Sequence, residues 1–206
     1  MMVPRFLRLA AAVLLLGLMH APASGQVPFV RIEEDWELQV LHPDAQLDAP
    51  QVTIAQLPGG YSHDLLLQLS VNYGASPSFS RGGYQLRAAL GDTEISRSRQ
   101  LENEVLTIPS ETLTWTLFIQ EDPQGLYFGV INGQSQSWGA FGGEAIFVPY
   151  SASGLTSLAA YHPQNSVNNS EISYAANRVG KLRLTKVRAY SAQGPLGEWT
   201  LNADVQ

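Results

Sequence analysis

An all-β fold, two antiparallel sheets packed as a sandwich, is what this sequence predicts, and three observations carry the prediction. Short runs of alternating apolar and polar residues recur along the chain, clusters of turn residues separate them, and beyond residue 25 no stretch keeps a helical period over three turns. The clearest run is LTWTLFIQEDPQGLYFGVING, residues 113–133. In it Leu113, Trp115, Leu117 and Ile119 alternate with Thr112, Thr114, Thr116 and Gln120, the period of a strand with one buried face. Glu121-Asp122-Pro123-Gln124-Gly125 interrupts the alternation with turn residues, and Leu126, Phe128 and Val130 resume it. Asn132-Gly133, which tolerates the positive φ angles of a type I′ turn, is expected to close the second strand.

The other elements follow in order. The first strand is expected over Phe29–Leu41, with Ile32, Trp36, Leu38 and Val40 on one face together with Glu34, and Glu33, Asp35, Glu37 and Gln39 on the other. Short strands follow at Val52/Ile54 and Leu65–Val71, around a Pro58-Gly59-Gly60 turn. Tyr84, Leu86, Ala88 and Leu90 form the next, ended by Gly91-Asp92, and Ile95–Arg99 and Val105–Ile108 are shorter candidates. After the central hairpin come Ala145–Val148, Leu155–Tyr161, a polar loop over His162–Ser170, Glu171–Tyr174 and a closing strand Val179–Tyr190. In that last strand Leu182 and Leu184 have one parity and Val187 and Ala189 the other, so a β-bulge is expected near Thr185-Lys186.

The N-terminus reads as a secretory signal over residues 1–25. Arg5 and Arg8 precede an apolar run from Leu9 to Met19, and Ala21-Pro-Ala23 and Ala23-Ser-Gly25 offer the small residues a signal peptidase reads. The run is about half the roughly 20 residues that span a bilayer, so no transmembrane segment is expected in the mature chain. The expectation is therefore a single exported β-sandwich domain over residues 26–206, in the periplasm, at the cell surface or outside the cell. Without Arg5 and Arg8, the 12 basic residues of the whole chain become 10, against 18 acidic ones. Such a balance disfavours a nucleic-acid partner, whose phosphates are bound by Lys and Arg. Cys is absent, so neither disulfides nor thiol chemistry is open to the chain.

Leu113-Thr-Trp115 followed by Leu126-Tyr-Phe-Gly-Val-Ile-Asn-Gly133 resembles the central hairpin of laminin-G-like and concanavalin-type jelly rolls, and Leu182–Tyr190 resembles a strand that often closes them. Asp35-Trp-Glu-Leu38, Leu47-Asp-Ala-Pro-Gln-Val52, Trp138-Gly-Ala-Phe-Gly-Gly143 and Asn177-Arg-Val179 are similar to patterns in a group of exported bacterial β-sandwich proteins without assigned activity. That resemblance implies export and one intact domain, and brings no catalytic residue with it.

Five sets of residues bear on chemistry or on strand pairing. Glu33, Asp35 and Glu37 project from one strand face, as in the Glu-x-Asp-x-Glu strand of jelly-roll glycoside hydrolases, where one Glu is nucleophile and the other general acid. The alternative is a solvated strand face opposite Trp36, Leu38 and Val40. Trp138 and Phe141, beside Asn132, Gln134 and Gln136, suit stacking on sugars with amides bonding hydroxyls, or else they plug the sandwich. Tyr161, His162, Asn177 and Arg178 are polar groups open to the same ligand-binding role. No cofactor is expected; the alternative is calcium, which would draw on Asp44 and Asp48, or on Glu121 and Asp122. Lys181, Arg183, Lys186 and Arg188 form a basic strand suited to pairing with the acidic first one. The leading expectation is a non-catalytic binding module for carbohydrate or another cell-surface component. The alternatives are an assembly subunit of an envelope complex and a glycosidase using Glu33 and Glu37.

Overall fold

The computed structural model describes residues 27–41, 52–72, 82–102, 104, 106, 108–172 and 179–205. The signal segment, Asp44, Asp48, Asn177 and Arg178 lie outside the described residues. The strands are β1 (Arg31–Val40), β2 (Val52–Gln56), β3 (Leu65–Asn72), β4 (Gly83–Leu90), β5 (Thr93–Arg97), β6 (Glu111–Asp122), β7 (Gly125–Ser135), β8 (Gly139–Phe141), β9 (Glu144–Pro149), β10 (Glu171–Ile172), β11 (Val179–Ser191) and β12 (Gly194–Asp204). Two short helices, α1 (Tyr150–Ser153) and α2 (Pro163–Asn169), accompany them.

The strands form two antiparallel sheets packed face to face, the predicted sandwich. One sheet runs β12-β11-β1-β6-β7, with both β8 and β9 on the far edge of β7; the other runs β10-β2-β3-β4-β5. Alternation fills the space between them. Ile32, Trp36, Leu38 and Val40 of β1 and Leu113, Trp115, Leu117 and Ile119 of β6 meet Val52, Ile54, Leu65, Leu67, Leu69 and Leu86 of the opposite sheet, all of them buried. Each such side chain contributes about 1.5–3 kcal/mol of burial, which a chain without disulfides depends on. Among the described residues no helix is long and apolar enough to cross a membrane.

Register bears out the expected bulge. Asp35 faces Lys186 and Trp36 faces Leu184, so Thr185 is the extra residue. Its hydroxyl donates to the Asp35 carbonyl at 2.9 Å, and the phase change puts Leu182, Leu184, Val187 and Ala189 all inside.

Four expectations are corrected. Asn132-Gly133 does not turn the chain: β7 runs on to Ser135, and Asn132, at φ 56°, sits in a bulge where two residues oppose Trp115. The same tolerance of positive φ that suits Asn to a hairpin suits it to a bulge. Leu155–Tyr161 forms no strand; Leu155, Leu158 and Tyr161 are buried at a spacing of three residues in an irregular segment. The polar stretch after it is helix α2, begun by Pro163 and capped by His162 Nδ1, which accepts from the Gln164 N–H at 3.2 Å. Finally β12 follows the strand expected to be last. Gly194, Pro195 and Gly197 read as turn residues, and only Trp199, Leu201 and Ala203, each half-buried at the sheet edge, carry the alternation.

Glu34, on the apolar face of β1, lies fully inside the sandwich. Tyr161 Oη donates to its Oε1 at 2.6 Å, Ser166 Oγ to the same oxygen at 2.5 Å, and Trp36 Nε1 to Oε2 at 2.9 Å. Gln56, fully buried in β2, faces the same carboxyl, yet neither polar atom of its amide completes a regular hydrogen bond. Burial pushes the Glu34 carboxyl up, against the pull of its four polar neighbours. The folded state therefore holds this proton more tightly than the unfolded chain, whose carboxyl titrates near 4.5. Its contribution to stability is complete below that pH and is lost as the pH rises through the folded-state value. Urea unfolding from pH 5 to 9 is expected to show this fall in the native protein and a flatter profile in Glu34→Gln. Glu34→Ala, which strands three buried donors, is expected to lose about 2–4 kcal/mol.

Candidate functional site

The acidic face of β1 groups three carboxylates, and its neighbours decide what they can do. Antiparallel pairing sets β1 between β6 and β11 and puts Glu33 opposite Arg188, Asp35 opposite Lys186 and Glu37 opposite Arg183. The Arg188 guanidinium spans two of the acids, with Nε on Glu33 Oε2 at 2.8 Å and its terminal nitrogens on both Asp35 oxygens at 2.6 Å. Arg31 Nε reaches Glu33 Oε1 at 2.8 Å, Tyr190 Oη donates to Glu33 at 3.1 Å, and Thr116 Oγ1 donates to Asp35 at 2.7 Å. Lys181 pairs with Glu37. The basic strand thus pairs with the acidic one.

Burial pushes the Glu33 carboxyl up, but Arg188, Arg31 and Tyr190 together outweigh it and hold it below the usual range. A general acid keeps its proton near neutral pH, and this environment favours the opposite state. The structure brings Glu33, Asp35 and Glu37 to one face, and each is engaged by a cation.

A second candidate site lies at the edge where β8 and β9 approach β4 and the segment after β5. Here a cleft of about 500 Å³ opens between the two sheets. Tyr84 and Phe141 lie at its floor, and Arg99, Gln100, Glu102 and Glu144 stand around it. The floor is an aromatic cluster: Tyr84 and Phe141 have ring centroids 5.5 Å apart, and Trp138 meets Phe141 edge-on at 5.3 Å. Two features of the chain build it. Gly133 lies directly against the Phe141 ring, where a Cβ would come within 2.5 Å of Cδ2. Gly142 and Gly143, at φ 100° and 93°, break the edge strand so that β8 and β9 both pair with β7. Glu111, buried beneath, accepts from the Ser137 N–H at 2.7 Å and Ser137 Oγ at 2.6 Å and pins the turn before β8.

Electrostatically the cleft is mixed. Burial pushes the Tyr84 hydroxyl up to about 12, with Glu102 and Glu144 adding to the shift, so it remains a neutral donor near physiological pH. Arg99 and Glu144 approach to 3.9 Å across the rim while both stay largely exposed. Glu102 holds φ at 62°, uncommon for a residue with a side chain.

The predicted ligand residues are divided by the fold. Phe141 enters the cleft floor, and Trp138 stands behind it, with Nε1 donating to the Glu104 carbonyl at 2.8 Å. Asn132, Gln134 and Gln136 are exposed and line no part of the cleft. The Tyr161 hydroxyl is committed to Glu34, and His162 caps α2. Of the calcium candidates, Glu121 accepts from the Leu158 N–H at 3.2 Å and Asp122 from the Gln124 N–H at 3.1 Å. No group of three or more His or acidic residues placed to hold a metal occurs among the described residues. Sequence reading missed Tyr84, Arg99, Gln100, Glu102 and Glu144, because the cleft forms only when residues 84–102 and 140–144 meet across the sheets.

Arg188→Ala leaves Glu33 and Asp35 facing each other without their shared cation, and is expected to destabilise the fold by about 1–3 kcal/mol at pH 7. The folded-state pKa of Glu33 is depressed, so its favourable contribution exists above 4.5 and is lost as the pH falls through the folded value. Denaturation curves of the two proteins should therefore converge in acid. Comparison of the chain with family models, curated proteins and solved structures found no match.

Proposed function

We propose that this protein is an exported, non-catalytic binding module of the cell surface or envelope, and that its ligand is a carbohydrate held in the cleft beside Phe141. The observation that carries this reading is the cleft itself: an aromatic floor surrounded by a guanidinium, an amide and two carboxylates within about 500 Å³. The lining is chiefly polar and the two rings lie almost wholly buried beneath it, so the match is to the hydroxyls of a sugar, with only ring edges available to a CH face. Support for export comes from the Arg5/Arg8 and Leu9–Met19 pattern. The likeness of the central hairpin to laminin-G-like and concanavalin-type jelly rolls points the same way.

The first test is a glycan array probed with residues 26–206, once with calcium and once with a chelator. Wild-type protein is expected to bind a restricted set of soluble glycans. Arg99→Ala combined with Glu144→Gln is expected to weaken that binding about tenfold or more. The pair is exposed and long, so its loss costs the fold little, and unchanged melting would confirm that the variant is intact. Silence on the array, together with concentration-dependent oligomers in sedimentation, would replace this reading with that of an assembly subunit.

A further inference from the structure

The outer face of the larger sheet carries a second feature that the cleft does not use. Strand register aligns Phe147 of β9, Tyr127 of β7, Gln120 of β6, Arg31 of β1 and Tyr190 of β11 in one row across five strands. At the usual strand spacing that row is about 19 Å long. Tyr127 is 41 % exposed, a large aromatic side chain left on the surface, and its ring centroid is 5.2 Å from that of Phe147.

Two of the rings in and beside this row, Phe147 and Phe118, are seated over glycines of β7. Gly125 and Gly129 of β7 occupy outward-facing positions, and a Cβ there would come within 2.8 Å of the Phe147 ring and 2.6 Å of the Phe118 ring. Each phenyl ring thus occupies the space that an outward side chain on β7 would fill. The Arg31 guanidinium then sits 4.5 Å from the Phe118 centroid, fixed by Glu33 and by Gln120. Phe147, Phe118 and Arg31 therefore have little side-chain freedom left to lose on binding.

What such a face would take follows from its shape and charge. It is a row on a sheet, unlike the cleft that encloses a small molecule. Its charges are matched locally, Arg31 with Glu33 and Arg188 with Glu33 and Asp35, which gives neither an anionic nor a cationic chain an advantage. Tyr127 and Phe147, tilted at 51° to each other, and Tyr190 at the far end of the row, with the Gln120 amide and phenol hydroxyls among them, offer ring surfaces and polar groups to an extended chain of equatorially linked pyranose rings. About four such rings would cover the row. We infer that the outer face of this sheet is a second binding surface, for an uncharged β-1,4-linked polysaccharide presented as an insoluble surface. The inference rests on the glycan-binding reading above and on none of the residues of the cleft.

The test is a pull-down of residues 26–206 with microcrystalline cellulose and with chitin, with negatively charged phospholipid vesicles as the comparison surface. Wild-type protein is expected to partition onto at least one of the two polysaccharides. Tyr127→Ala combined with Phe147→Ala is expected to lower that partition about tenfold while leaving any soluble-glycan binding on the array unchanged. Arg99→Ala with Glu144→Gln should do the reverse, so loss of the cleft reading and loss of this one are told apart. Circular dichroism and melting check the folding of Tyr127→Ala/Phe147→Ala, and the single variant Tyr127→Ala gives a second reading should the double variant prove unstable. Equal retention of the folded variant and the wild type would overturn the inference. So would retention on vesicles alone, or on nothing.

Discussion

Burial of Glu34 between the sheets is the constraint that most of the local architecture answers to. A carboxyl removed from water must be satisfied by donors or neutralised, and the donors here come from separate pieces of chain. Trp36 is two residues away on the same strand, Tyr161 ends the irregular segment after α1, and Ser166 lies in α2. The polar helix is thereby tied to the interior. Ser166 also passes the connection on: its carbonyl accepts from Ser170 Oγ at 2.6 Å, and that hydroxyl accepts from the Ala55 N–H at 3.1 Å. One buried acid thus joins β1 of one sheet to β2 of the other, in a protein with no cysteine to do so covalently.

Outside the core the same strand is governed by a different rule. Glu33, Asp35 and Glu37 face outward from β1 opposite Arg188, Lys186 and Arg183 of β11, so their antiparallel register becomes a ladder of opposite charges. The Thr185 bulge keeps two requirements compatible. Without an extra residue, the segment beyond it would turn Val187 and Ala189 to solvent and Arg188 into the sandwich. With it, the apolar residues stay inside and Arg188 reaches both Glu33 and Asp35.

The sequence revealed most of the fold and little of the site, for physical reasons. Strands with one buried face announce themselves by period two, and β1, β3, β4, β6 and β7 all do. The bulge in β11 was legible because Leu184 and Val187 differ in parity, and one strand keeps both inside only by inserting a residue between them. The elements that sequence reading overlooked carry little or no apolar period. Helix α2 is buried through Asn165 and Ser166 as well as Val167, and β12 is half-covered and interrupted by glycine and proline. The cleft was less visible still. Phe141 and Trp138 stood out as aromatics in a glycine-rich stretch, but Arg99, Glu102 and Glu144 are ordinary polar residues until the two sheets bring them to one edge.

The glycines of β7 show how one strand serves both surfaces. Gly125, Gly129 and Gly133 recur every fourth residue, and each lies against a ring from a neighbouring strand: Phe147, Phe118 and Phe141 in turn. Four residues along a regular strand return to the same face, so all three rings ought to lie on the outside. The bulge at Asn132 intervenes between the second and the third glycine, and it reverses the faces. Phe147 and Phe118 therefore lie along the outer surface, while Phe141 is turned inward against Tyr84 to floor the cleft. An Asn-Gly pair that resembles a hairpin signal is instead what divides one repeated ring-on-glycine arrangement between the outside of the sheet and the gap between the sheets.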